Sequence, residues 1–187
     1  MIAILDANIL YSARLRDFFI WLALQKAYQA HWTSEIQSEW KRNLLQKRPE
    51  ILAANLERTQ NLMDKALPDA LLENVPRLEI MLPDVNDCHV LEAAVYARAG
   101  FIVTHNLRDF PQAILEPFGI LALSPDEFVM RIVERTPNLV LNTIQMQLAN
   151  LQRPPISMNA ILLQLEEQGL VKSVVWLRGQ LLSNVDF

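Results

Sequence analysis

Short, mainly apolar runs separated by longer helical stretches constrain the fold of this chain more than any other feature. Residues 2–5, 78–82, 101–104 and 120–123 are such runs, each bounded by turn-forming or polar residues. A run of this kind reads as a strand buried on both faces. Between the runs lie longer stretches of helical periodicity. Strands that alternate with helices imply crossover connections and hence a parallel sheet.

The helices follow from spacing and capping residues. Leu15, Phe18, Phe19, Leu22, Leu24 and Ala27 place a broad apolar face on a helix over 15–30, and a brief strand is expected at 31–33. Ser34 is expected to cap the next helix, with Gln37 completing a capping box, and Arg48-Pro49 to end it near Lys47. Leu52, Leu56 and Met63 mark a helix over 50–66, and 67–76 reads as a loop. A further helix is expected from Asp84 to Arg98, closed by Gly100 just past its end. Ser124-Pro125-Asp126-Glu127 is a strong helix start. Beyond it only helices are expected, at 138–151, 157–168 and 171–182, broken at Pro137, at Arg153-Pro154-Pro155 and at Gly169. The expected division is an α/β domain over 1–130 and an all-helical C-terminal extension over 131–187.

Composition excludes several classes. With 187 residues, 51% hydrophobic and 20% charged, the chain has the make-up of an ordinary globular protein. Its single cysteine, Cys88, excludes an intramolecular disulfide, fits a reducing cytoplasm and reads as a small buried residue. Residues 1–5 are too short for a signal peptide. No apolar run approaches the roughly 20 residues of a membrane span. A net charge of −4 and a pI near 5.4 argue against a surface coated in positive charge, so any nucleic-acid contact must be local.

In open parallel sheets, ligands bind beyond the carboxyl ends of the strands. This chain places carboxylates there. Asp6 follows the first run, Asp84 and Asp87 follow 78–82, and Asp109 follows 101–104 after one short loop. Carboxylates gathered in this way repel one another and are tolerated at neutral pH with a cation between them. Hard oxygen ligands select Mg²⁺ or Mn²⁺. Each acid taken singly also fits a helix cap or a solvated loop, Asp84 above all.

At these positions the sequence resembles the PIN-domain nucleases, common as VapC-type toxins of toxin–antitoxin pairs. Leu5-Asp6-Ala7-Asn8 resembles the family's opening motif. Ser34-Glu35-Ile36-Gln37-Ser38-Glu39-Trp40 is similar to the second, in which a helix after strand two presents a glutamate. The segment from Pro83-Asp84-Val85-Asn86-Asp87 to Ala94 looks like the third, and Thr104-His105-Asn106-Leu107-Arg108-Asp109-Phe110 like the fourth. Together they cover roughly residues 1–123.

The resemblance implies a PIN-like α/β/α sandwich with a central parallel sheet, followed by the helical extension. It implies Asp6, Glu39, Asp87 and Asp109 as catalytic and metal-binding acids, with Asn8, Thr104 and Asn106 positioning them. Glu35 lies one helical turn before Glu39 on the same face, so spacing leaves both open, although the aromatic at Trp40 favours Glu39. Asp84 could likewise supplement Asp87. The implied activity is Mg²⁺-dependent endoribonuclease cleavage by activated water, as the toxin of a type II pair, with Mn²⁺ as the other candidate ion. The implied partners are RNA, a small antitoxin and a second copy in a homodimer, with no membrane, in the cytoplasm. The alternative is a PIN-like module that binds RNA or protein without cutting.

A phosphate track should be basic. Arg14 and Arg16 lie just beyond Asp6, Lys41, Arg42, Lys47 and Arg48 share the helix of Glu39, and Arg108 adjoins Asp109. Of these, Arg14, Arg16, Lys41, Arg42 and Arg108 are the substrate-binding candidates. Trp40 reads as a packing residue in preference to a base-stacking one, and His89 and His105 as a helix and a loop residue without a catalytic part. The extension carries few basic residues, which disfavours DNA reading and favours an interaction surface. A haloacid-dehalogenase-type phosphatase needs a second aspartate two residues after the first, where this chain has Asn8. A response-regulator receiver needs an acidic pair at the first strand end and a phosphoryl-accepting aspartate on the third, and neither is evident.

Overall fold

In the computed structural model, which describes residues 1–151 and 156–183, the chain builds the expected α/β/α arrangement around a parallel sheet, followed by helices. The strands are β1 (Ile2–Leu5), β2 (Gln29–Thr33), β3 (Leu71–Leu72), β4 (Phe101–Val103) and β5 (Leu121–Leu123), and all pair in parallel in the order β3-β2-β1-β4-β5. The central strand is β1, with Ile4 in register with His31 of β2 on one side and with Ile102 of β4 on the other. The chain winds outward from β1 first through β2 and β3, then back across to β4 and β5. The direction of winding therefore reverses between β1 and β4, where a doubly wound sheet opens its ligand crevice.

Helices α1 (Ala7–Tyr11) and α2 (Ala13–Leu24) connect β1 to β2, and α3 (Ser34–Lys47) and α4 (Ala53–Ala66) connect β2 to β3. Helix α5 (Cys88–Tyr96) leads into β4, and α6 (Gln112–Leu115) leads towards β5. The extension comprises α7 (Pro125–Arg135), α8 (Pro137–Asn150), α9 (Met158–Glu167) and α10 (Val171–Ser183). Residues 88–94 of α5 are all buried, including Cys88, His89 and Glu92, so the helix is enclosed on every side. Phe128 of α7 stacks on Phe19 of α2, and meets the edges of Tyr28 and of Phe101 on β4. That aromatic cluster joins the sheet region to the extension. Each such ring removed from water contributes about 1.5–3 kcal/mol.

Several expectations need correction. Residues 78–82 are not a strand: Met81 is 81% exposed, and the segment runs as a loop. The Leu78 amide donates to the buried Glu92 carboxylate, and Ile80 to the Leu78 carbonyl, in place of ladder bonds. The third strand in sequence is instead Leu71–Leu72, inside the expected loop. Helix α2 ends at Leu24, six residues early, because Lys26 turns the chain through left-handed backbone at φ 61°. Thr33 caps α3 in place of Ser34, its side chain accepting from the Ile36 amide. Helix α5 ends at Tyr96, with Arg98 and not Gly100 taking the left-handed turn at φ 50°. The helix start at Ser124 forms as expected, with Glu127 adding a reciprocal bond that makes it a capping box, and Gly169 at φ 92° ends the turn between α9 and α10. The break at residues 153–155 lies outside the described residues.

Candidate active site

Asp6 emerges from the carboxyl end of β1, and its own amide donates to the Val103 carbonyl of β4 at 3.1 Å. That bond fixes the residue at the crevice between the two strands. Its side chain is 3% exposed, and Oδ2 accepts from Asn8 Nδ2 and from Thr104 Oγ1, both at 2.6 Å. Asn8 Nδ2 also reaches Thr104 Oγ1 at 2.9 Å. Two more bonds tie the β4 loop to this triangle: the His105 amide donates to Asn8 Oδ1, and the Asn106 amide to Thr104 Oγ1. Asn8 and Thr104 thus brace Asp6 directly, as their positions in the motifs imply.

Three further carboxylates surround Asp6. Burial raises the Asp6 pKa, the Thr104 hydroxyl opposes the rise, and nearby Glu39 adds to it. Asp87 is pushed up to about 7, by burial first and then by Asp6, Asp84, Asp109 and Glu39. Four nearby carboxylates thus act on Asp87, a concentration of negative charge that a cation would relieve. Asp84 accepts from the Asn86 amide and caps the 3-10 turn Val85–Asp87, and it also faces Asp87. Asp109 lies at the end of the 3-10 turn Leu107–Asp109, half-buried and close enough to act on Asp87.

Two surface grooves meet here. One is lined by Asp6, Asn8, Tyr11, Glu39, Lys47, Asp87 and Asn106; the other by Glu35, Glu39, Arg42, Arg77, Asp84, Asp87, His89 and Asn106. They share Glu39, Asp87 and Asn106, so Asp6, Glu39, Asp84 and Asp87 line one continuous cleft, whereas Asp109 lines neither groove. Glu39 flanks the Asp6 groove, whereas Glu35 stands farther out and pairs with Arg77 at 2.9 Å. His89, 7% exposed, brings Nε2 to 3.4 Å from Glu39 Oε2. Burial opposes its protonation, but Glu39, Glu35 and Asp6 outweigh it and raise the pKa.

The predicted basic residues scatter. Arg42 lines the cleft, as does Lys47, which lies over the Tyr11 ring at 5.4 Å. Lys41 turns away to Glu57 on α4, at 2.6 Å. Arg16 donates to the Leu10 carbonyl and lies over Trp40, and burial lowers its pKa to about 10. Arg14 and Arg16 line a different groove, against α4 and α9. Arg48 pairs with Glu50 at the surface, and Arg108 is exposed beside Asp109. Trp40 is fully buried and is a packing residue. Sequence reasoning missed Arg77 and Glu92. The i, i+3 spacing of His89 and Glu92 on a helix was the available signal for the second.

The residues fit a hard divalent cation in their donor chemistry. Among the described residues, no lysine or arginine forms an ion pair with Asp6, Asp87 or Glu39. Nor, among them, do three or more His, Cys, Asp or Glu side chains lie close enough together to cage an ion. Mg²⁺ does not need such a cage, because it keeps several waters and is held by one or two carboxylates together with substrate phosphates.

Comparison with known proteins agrees with this geometry. The family model described as PIN domain matches residues 3–108, and that described as VapC50 C-terminal domain matches residues 125–179. The protein named "Putative ribonuclease VapC50" from Mycobacterium tuberculosis is 38% identical over 86 residues, covering 44% of this chain and 48% of that relative. The chain thus matches about half the length of this curated relative. No solved structure matches the chain significantly.

Proposed function

The chain belongs to the PIN-domain family, and from that premise we propose that it is a Mg²⁺-dependent endoribonuclease, the toxin of a type II toxin–antitoxin pair. The observation that carries this reading is the meeting of Asp6, Glu39 and Asp87 in one cleft at the winding reversal of the sheet, with no lysine or arginine paired to them among the described residues. The likeness to a relative with ribonuclease in its name supports the choice of substrate.

Asp6, Glu39 and Asp87 would hold the ion, with Asp109 adding negative charge behind Asp87. Asn8 and Thr104 both donate to Oδ2 and keep the Asp6 carboxylate in one orientation. A bound divalent ion would supply charge neutralisation for the phosphodiester and lower the pKa of an attacking water. Arg42 and Lys47, each lining one of the two grooves, would hold phosphates flanking the scissile one. His89 orients Glu39 through Nε2. A small antitoxin that covers this cleft, a homodimer, a cytoplasmic location and a division at about residue 130 complete the reading. No helix of the described residues is long and apolar enough to cross a membrane.

The test is cleavage of single-stranded RNA with Mg²⁺, with Mn²⁺ and with chelator. Asp6→Asn should lower the rate by at least about a hundredfold, the order expected when one charge-stabilising group is lost from an active site, while the variant still unfolds cooperatively. Undiminished cleavage by that variant would overturn the assignment. A short neighbouring reading frame encoding a DNA-binding antitoxin would support the toxin role. A non-cutting PIN-like module is the second reading, and it draws on the lack of a close-set ligand group among the described residues. Binding of RNA without cleavage under any divalent ion would favour it.

A further inference from the structure

We propose that the loop after β3 forms a nucleotide subsite beside the acidic cleft, with Arg77 as the phosphate-holding residue at its mouth. The inference rests on the nucleic-acid reading above and deepens it.

Arg77 is built into place. Glu92, 4% exposed on the enclosed helix α5, accepts from Arg77 Nη1 at 2.9 Å and from the Leu78 amide at 3.0 Å. A buried carboxylate held by two donors is a firm anchor, since removing either donor would leave a charge uncompensated. The other end of the guanidinium behaves differently. Nη2 reaches Glu35 Oε2 at 2.9 Å, but both side chains are more than half exposed. Such a pair contributes little and exchanges readily. Arg77 therefore has one fixed hydrogen-bonding edge and one that an incoming anion can take from Glu35. The planar fork of arginine suits a phosphate in that role.

Its location matches the chemistry. Arg77 lines the acidic groove that contains Glu39 and Asp87, and also a second groove lined by Ser34, Leu72, Asn74, His89 and Glu92. The second groove runs along the edge strand β3 and the loop after it, where Asn74 is held in left-handed backbone at φ 55°, and of its acids Glu35 and Glu92 are both paired with Arg77 while Glu73 is the third. His89 belongs to both grooves, is 7% exposed and has no hydrogen-bond partner at Nδ1. A polar groove with an apolar strip at Leu71, Leu72 and Val75 and one unpartnered ring nitrogen on His89, entered past an arginine, suits a nucleotide whose phosphate rests on Arg77 and whose base edge meets the polar groups. A single strand lying across the acids would thus meet Lys47 on one side and Arg77 on the other.

The test uses the full chain with chelator in place of Mg²⁺, so that the proposed cleavage does not run, and single-stranded RNA oligonucleotides shortened one nucleotide at a time from each end. Affinity is read by fluorescence anisotropy across a salt series. For the unmodified protein, trimming one particular end should lose affinity in one discrete step. Arg77→Ala should bind the full-length probe about tenfold more weakly, with a salt dependence shallower by about one, and should no longer register that step. Arg77→Lys should recover part of the affinity. Equal affinity and slope in Arg77→Ala, or an unchanged trimming step, would overturn the subsite. A drop in thermal midpoint with binding intact would also overturn it, because Arg77 would then be structural only. Cleavage of ordinary RNA by the unmodified protein, measured alongside, separates the two readings. Cutting that ignores Arg77→Ala sinks the subsite and leaves the nuclease. Arg77-dependent binding without cutting sinks the nuclease and leaves the subsite.

Discussion

The Asp6 carboxylate is defined by the groups that donate to it. Thr104 is fully buried, gives its hydroxyl proton to Asp6, and accepts from Asn8 and from the Asn106 amide. Thr104→Val keeps the shape and deletes every one of these bonds. The variant should lose about 1–3 kcal/mol of stability in urea unfolding, since buried polar partners are left unsatisfied. A value near zero would mean that the hydroxyl is not a brace. The residues of this triangle were legible in the sequence because each belongs to a short motif. Their contact was not, because Asn8 and Thr104 are 96 positions apart and meet only through the β1–β4 pairing. Arg77 was illegible for a different reason. Its partners Glu35 and Glu92 sit on two helices, and the loop that carries it was read as leading into a strand.

Elements were legible where local chemistry decides them. The Ser124 capping box and Gly169 turn follow directly from residue types, whereas the end of α2 falls at Lys26, where no glycine announces it. The short strand Leu71–Leu72 exists because it pairs with Trp32 and Thr33 of β2, a tertiary fact without a local signal. The same holds for α10. Asp126, in the first turn of α7 and 8% exposed, accepts from the Lys172 and Ser173 amides at 2.9 Å and from Ser173 Oγ at 2.6 Å. A side chain from one helix therefore caps the start of another. Asp126→Ala should cost about 2–3 kcal/mol, more than an ordinary cap, because three buried donors lose their acceptor. Hydrogen exchange should show the first turn of α10 losing protection before the sheet does. Uniform loss of protection over the whole chain would contradict a local cap.

At the scale of the molecule, the acidic cleft sets the dependence of stability on pH and on metal. The Asp87 pKa is about 7 in the folded chain, against 3.8 for an unperturbed aspartate. Between those values the folded state binds more protons than the unfolded state, so stability falls as pH rises through the window. The metal-free protein should therefore lose thermal midpoint from about pH 4 to pH 7 more steeply than Asp87→Asn, which lacks the titrating group. His89, with its pKa raised by Glu39, Glu35 and Asp6, contributes in the same direction at the upper end, in both proteins alike. The comparison with Asp87→Asn isolates the aspartate. A divalent ion held by the cleft, as proposed, would act in the opposite sense, because it would bind the folded chain and prefer charged carboxylates. Millimolar Mg²⁺ should raise the midpoint more at pH 8 than at pH 5.5, where protons compete for Asp87. That difference should shrink in Asp87→Asn. A Mg²⁺ effect that is the same at both pH values, or undiminished in the variant, would place the ion elsewhere and detach the acidic cleft from metal binding.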